Sequence, residues 1–544
     1  MGAWNAFEVD RAFVLENFRK GFFDYVEVAS HVAETRFFRW LLGEGLLERL
    51  AKDYPTPRKK EEVPLWVYLS SELTLKLHGA SGFAALPYVL HCGGLKDALG
   101  PEQVVQVHRG DSYKLFCRGF NKKNVYDRVT PCDQDFVRKL ARSTAPEALQ
   151  MWLGFSLSQI YSSLRAYDPE GIFLVDGTYL FVPDNDNYED SALLAFDQSN
   201  HPISMEAYQK LSPAQKRRCK LRRCYRAVTL LHTNRAKSFY LYCGLRVFNG
   251  ARNELPYLKP IVEEYLQQAG KRRIRWLVFD RGFIDGRQIG TLKKNFGIDS
   301  LFPLRRNMDI YRDAEALAKL QKPDVIWKPP APKEPEHEGK PQVIRKREET
   351  RRRTLQAEKK RKKSGEVVLK EVHLRVVPQL TTWDACPVPL QALVITEHFS
   401  DGSTSQFILA TTAQCDDAAR LWELYQIRPT IEERHRQLKC FWDLTNFRST
   451  KFSLVVNQIV FVLLAYSLMQ LFLLKSESGA FTASTRRRLL EQLLPQGKKV
   501  FLYYRNRVAS LDILEYQEIL LSLKEGARRR ILGKTRRLRK NLLR

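Results

Sequence analysis

The chain has 544 residues, 44% of them hydrophobic, which is too long for one ordinary core and enough for three or four domains. Lys plus Arg exceed Asp plus Glu by 89 − 61 = 28, a surplus that points to a polyanionic partner, nucleic acid before an anionic membrane surface. The nine cysteines are dispersed and odd in number, and Cys219-x4-Cys224 has no second pair at zinc-ligand spacing, so reduced cytosolic thiols are expected rather than a disulfide framework or a structural zinc.

The first residues include Glu8, Asp10 and Arg11 and no apolar signal core, so secretion is not expected. Residues 1–165 read mostly as helices. Phe7, Phe13, Val14, Phe18, Phe22 and Tyr25 recur at spacings near three and four, as do Phe37, Phe38, Leu41, Leu42, Leu46 and Leu47. An all-α N-terminal domain is predicted there, and no short run in it identifies a groove-reading helix.

From Gly171 the character changes to strands. Residues 172–175 lead into Asp176, and 177–182 continue the run. Two further strands are expected at 227–232 and 239–248, with 216–223 as a basic loop before them. A helix at 253–268, a strand at 274–279 ending in Asp280, a helix at 285–296 and a strand near 301–304 follow. Three strands, then helix, strand, helix and strand is the order of an RNase H-like α/β core, a mixed sheet with flanking helices, here assigned to 166–310.

Residues 311–411 then intervene. Residues 322–341 are rich in proline and charge, 345–363 hold eleven basic residues in nineteen, and 367–377, 391–398 and 405–411 read as strands. The reading is an inserted basic arm with a β-rich subdomain. The core resumes at 412–475 and the chain closes with a basic helical region at 476–544.

Within 412–475, Tyr425, Arg428, Glu432 and Lys439 stand at offsets 0, 3, 7 and 14. At about 100° per residue, a continuous helix would bring Arg428, Glu432, Arg436 and Lys439 all within about 60° of Tyr425, so one carboxylate lies among cations on one ridge. Such a ridge suits a group that holds a metal ion beside a phosphate backbone. The alternative is a solvated helix of i,i+4 pairs. Pro429 clashes with the carbonyl of Tyr425 in a continuous helix, so either the helix kinks or a new one begins with Pro429 at its first position and Glu432 in its first turn. The twenty-one uncharged residues 454–474 are long enough to cross a bilayer, but Asn457, Gln458, Ser467 and Gln470 interrupt them. A buried helix packed on the sheet is expected.

Two other carboxylates stand out. Asp176 interrupts an apolar strand, where Asp-Gly also reads as a hairpin turn. Asp280 ends an apolar strand at the sheet edge where α/β folds place ligands, and it also reads as the cap of the next helix. Asp184, Asp186, Asp190 and Asp197 have no calcium-loop pattern and read as loop acids.

The segments 174–178 (Leu-Val-Asp-Gly-Thr) and 278–282 (Val-Phe-Asp-Arg-Gly), with Tyr-x2-Arg-x3-Glu-x6-Lys at 425–439, resemble the DDE transposases, particularly the cut-and-paste insertion-sequence branch with the Tyr-Arg-Glu-Lys signature. The resemblance covers roughly 170–475 and implies an RNase H-like domain in which Asp176, Asp280 and Glu432 bind two Mg²⁺ ions, with Mn²⁺ able to substitute. It implies that Tyr425, Arg428 and Lys439 help bind the element's terminal DNA. It further implies an N-terminal domain that binds element ends, double-stranded DNA as partner, a homodimer in the paired-end complex, no membrane, and a cytoplasmic, nucleoid-associated location. Trp383 or Trp327 would stack on a flipped base if the second strand is cut through a hairpin; the alternative for each is a packed aromatic. Competing readings are an RNase H-like nuclease without strand transfer and a domesticated DNA-binding protein that no longer cuts.

Overall fold

A computed structural model describes residues 11–30, 32–60, 63–79, 82–86, 104–109, 112–117, 134–198, 200–329, 367–475, 498–505 and 507–542. The basic arm expected at 345–363 lies outside them. The described strands, in chain order, begin with β1 (Tyr25–Ser30), β2 (Val104–Arg109), β3 (Ser112–Cys117), β4 (Ile172–Val182), β5 (Ala192–Phe196) and β6 (Pro202–Ile203). Next come β7 (Lys220–Thr233), β8 (Tyr240–Asn249), β9 (Trp276–Phe279), β10 (Asp299–Pro303) and β11 (Val325–Trp327). The last are β12 (Leu369–Leu380), β13 (Leu390–Phe399), β14 (Thr404–Thr411), β15 (Lys498–Tyr504) and β16 (Arg507–Asp512). The chain divides into two compact units, one of residues 1–171, 175–273 and 430–544, the other of 172–174 and 274–429.

In the first unit the sheet runs β4-β7-β5-β6, with β8 also paired to β7 in an antiparallel ladder from Tyr225↔Asn249 to Thr233↔Tyr240. Ile172, Phe173, Leu174 and Val175 are all fully buried, which explains why β4 begins as a continuous apolar run. Each such side chain stabilises the fold by about 1.5–3 kcal/mol relative to exposure. β4 continues unbroken through Asp176 and Gly177, so the Asp-Gly hairpin does not form. The basic run expected as a loop is strand from Lys220 onward, because Leu221 to Cys224 pair with β5.

The uncharged segment is the helix Phe452–Lys475. It is long and apolar enough to cross a membrane by length and composition, and 83% of its apolar window is buried inside the protein. Three of its polar interruptions have partners. The Asn457 side chain donates to Glu72 Oε1 at 2.8 Å and accepts from the Tyr68 hydroxyl at 3.0 Å. Gln458 donates to the Asp443 carbonyl at 2.7 Å, and Ser467 Oγ accepts from the Tyr242 amide of β8 at 3.3 Å.

The N-terminal segment is not purely helical. β1 pairs antiparallel with β15, Tyr25↔Tyr503 through Ser30↔Lys498, and β15 pairs with β16. The helix Arg11–Arg19 packs Val14, Leu15 and Phe18 into one core with Val26, Val500, Leu502, Ala509, Leu511, Ile519 and Ile531. The two ends of the chain therefore build one three-stranded module with flanking helices, in place of a separate all-α domain and a helical tail. The two-residue period of Tyr25-Val-Glu-Val28 is satisfied by a partner at the far end of the chain, which a local reading of periodicity does not see. β2 and β3 form a second antiparallel pair.

In the second unit the order is β11-β12-β13-β14-β10-β9, continuing to the first residues of β4. β9 and β10 are parallel and the remaining neighbours antiparallel, so the sheet is mixed. The strands expected as an inserted subdomain are present, but β14 pairs with β10, Leu301↔Thr411 to Pro303↔Leu409, and the insertion extends the sheet it interrupts. A mixed sheet flanked by helices fits an RNase H-like core.

Candidate active site

Two helices occupy the signature stretch. Ala418–Tyr425 ends at the signature tyrosine, the Arg428 amide closes a turn on the Tyr425 carbonyl at 3.0 Å, and Pro429–Phe441 starts afresh. The single ridge through Tyr425 and Arg428 therefore does not form, and the new start at Pro429 does. Proline cannot donate to the turn before it and is suited to a first helical position. Glu432 is then in the first turn, where the positive end of the helix dipole favours an ionised carboxylate, and it is solvent-exposed.

Glu432, His435 and Lys439 share one face of this helix, since offsets of three and seven residues both return to within about 60° of the starting side chain. That face meets the strands of the first unit. Lys439 Nζ donates to Thr178 Oγ1 on β4 at 2.5 Å. His435 Nδ1 lies 3.5 Å from Asp176 Oδ2, and its Nε2 is 2.8 Å from Thr229 Oγ1 on β7. Asp176 is only 8% exposed and His435 4%. Burial pushes the Lys439 ammonium down to about 8, and the neighbouring Asp176 carboxylate opposes that shift.

Gly177 has a steric reason. A Cβ there would overlap the carboxylate of Glu254, which is buried and paired with Arg226 at 2.5 Å. Arg226 also stacks over the Tyr179 ring at 4.8 Å. The ion pair is thus pressed against the strand backbone beside Asp176.

Asp280, Tyr425 and Arg428 belong to the second unit. The Asp280 side chain makes no cap hydrogen bond; Asp285 caps the next helix instead, accepting from the Arg287 and Gln288 amides. Asp280 is partly exposed and pairs with Arg428 at 3.2 Å. Arg436, expected on the cationic ridge, forms a two-point exposed pair with Glu433 at 2.6 and 2.7 Å. Trp383 packs toward Phe302 with ring centroids 6.3 Å apart, whereas Trp327 is exposed on β11.

The sequence reading missed His435, Thr178 and Thr229. His435 was accessible in principle, because three residues after Glu432 is the same helix face. The threonines are identified only by the strand packing.

The carboxylates are hard oxygen donors of the kind a divalent cation takes. Among the described residues no three His, Cys, Asp or Glu side chains form a ready cage. Mg²⁺ takes one or two carboxylates and completes its shell with water and substrate phosphate. Asp176, buried beside an imidazole and an ammonium, fits this use.

A comparison with curated proteins finds no match. The family model of the transposase DDE domain matches residues 167–468, more than half of the chain and the whole span from β4 through most of the apolar helix. Its members typically use divalent metal ions and act on DNA. The chain belongs to the DDE transposase family.

Proposed function

We propose that this protein is a cut-and-paste DNA transposase of the Tyr-Arg-Glu-Lys branch. It binds the terminal inverted repeats of its element, hydrolyses the phosphodiester at each end and joins the freed 3′-OH to target DNA. The observation that supports this most is the seating of the signature helix on β4 and β7. Residues from distant parts of the chain meet there, with His435 and Lys439 reaching Asp176 and Thr178 while Glu432 shares their face.

Asp176, Asp280 and Glu432 would hold two Mg²⁺ ions, or Mn²⁺ in their place, which when bound supply an activated water and charge stabilisation at the leaving oxygen. His435 orients Asp176: with its Nδ1 proton toward the carboxylate, its Nε2 accepts from Thr229. Arg428 rests on Asp280 and would exchange that carboxylate for a DNA phosphate, while Lys439 would supply a positive charge beside β4. Tyr425 and Arg436 add contacts at the ends of the same stretch. The exposed Trp327 suits base stacking in a hairpin step better than Trp383, which is packed. Two protomers would pair two ends on the nucleoid.

The test is an end-cleavage and joining assay on a donor DNA carrying the element's inverted repeats. Asp176→Asn, Asp280→Asn and Glu432→Gln are each expected to lose cleavage while retaining end binding, and chelation by EDTA to have the same effect as the substitutions. Full cleavage by any one variant removes that residue from the site. Cleavage without joined products would leave a nuclease.

A further inference from the structure

The C-terminal helix Glu525–Leu542 has two sides of opposite character. Its apolar side is used inside the terminal module: Ile531 is 1% exposed, Leu538 packs on the same core, and Lys534 Nζ donates to the Phe23 carbonyl at 2.6 Å. The other side faces solvent. At about 100° per residue, Arg529 and Arg536 form one row, and Arg530 and Arg537 form a second row about 100° round the axis from it. All four are exposed. Between the two rows stand Gly526 and Gly533, and Ile531 and Leu538 lie on the opposite side of the helix.

Glycine is a poor helix former, and here nothing within the protein requires it: a Cβ at either position would meet no atom within 4 Å. The result is a bare backbone strip about 10 Å long with two arginines on each flank. The helix carries eight Lys and Arg and one acid, Glu525, which pairs with Arg529 at 2.5 Å.

We propose that this face is a second DNA contact, in which the phosphodiester backbone of a duplex lies along the glycine strip and the four arginines grip it from both sides. The identity of the polyanion as DNA rests on the transposase reading. Charge complementarity selects this occupant. A lipid surface would take the apolar side of such a helix, and that side is already covered. A second copy related by a two-fold axis would present the same arginines and be repelled.

The experiment measures binding of the full-length protein to a short duplex of mixed sequence across a range of KCl concentrations. Replacing all four arginines, Arg529→Gln, Arg530→Gln, Arg536→Gln and Arg537→Gln, should flatten the slope of log K against log salt by about 0.9 per lost contact, about 3.6 in all. The pair Gly526→Leu and Gly533→Leu keeps every charge. It should retain helix content and thermal midpoint yet weaken binding at least tenfold by filling the strip. An unchanged slope in the arginine variant, or unchanged affinity in the leucine variant, overturns the proposal. So does an arginine variant that keeps its slope and loses instead self-association in sedimentation or binding to anionic vesicles. A wild-type protein that binds no duplex at all overturns the transposase reading with it, whereas a steep wild-type slope matched by the variant overturns the strip alone.

Discussion

At Gly177 the strand that carries the first aspartate has no room for a methyl group, because the Glu254–Arg226 pair lies against its backbone. Gly177→Ala is therefore expected to destabilise the fold by roughly 1–3 kcal/mol, as overpacking does. An unchanged denaturation midpoint would contradict this account of the glycine. On the proposed function His435 would act through Asp176, as a positioning residue. His435→Ala should lower the cleavage rate by roughly 10–100-fold, the usual loss for such a partner, with end binding retained and partial rescue by His435→Asn. If Ala and Asn behave alike, the polar contact with Asp176 is not what His435 contributes. Thiol chemistry gives an independent check on burial. Cys224 and Cys243 are buried with thiols pushed up to about 12, while Cys440 is exposed. Iodoacetamide at mildly alkaline pH should modify Cys440 in the native protein and spare the other two, as read by peptide mass spectrometry. Asp176 and Asp280 were legible as candidates because a carboxylate in or at the end of an apolar run is costly without a purpose, and Glu432 because its spacing from Tyr425, Arg428 and Lys439 sets it among cations. What Asp176 touches was not legible, since His435 reaches it, and Thr229 reaches His435, only through packing.

Whole elements were legible where their pattern is local. β8 and β9, and the helices between β8 and β10, fall close to where periodicity puts them. Errors arose where a tertiary partner overrides the local signal: Asp-Gly stays in a strand because β4 runs on through it as a neighbour of β7, and the basic run joins β7 because β5 is beside it. Pro429 marks a helix start for a backbone reason, and it moves Tyr425 and Arg428 off the helix of Glu432. The helix Phe452–Lys475 has the composition of a membrane span and the surroundings of a core helix. Asn457 is what distinguishes the two, holding a buried carboxylate on one side and a tyrosine hydroxyl on the other. Asn457→Leu should cost roughly 3 kcal/mol despite the added apolar volume, because Glu72 is left short of a donor in a dry site. A variant as stable as the parent in urea would mean that Glu72 finds another partner.

At the scale of the whole molecule, the boundaries drawn from composition fail because the chain doubles back. The first unit takes its residues from three separate stretches, and the terminal module takes strands from both ends. β15 is the middle strand of that module, so removing residues 498–544 should leave Val14, Leu15, Phe18 and Val26 without their core. Limited proteolysis is expected to cut the truncated chain within residues 11–30 much faster than the intact one. Equal rates would show that the N-terminal helix and β1 hold together without their partners.

The pairing of Tyr25 with Tyr503 also sets a timetable during synthesis. A ribosome adding about 5–20 residues per second needs about half a minute to a minute and a half to travel from one to the other. Through that interval the stretch from Val14 to Val26 waits with its greasy side chains uncovered, and a message broken before the codons of β15 yields a polypeptide that never closes this clasp.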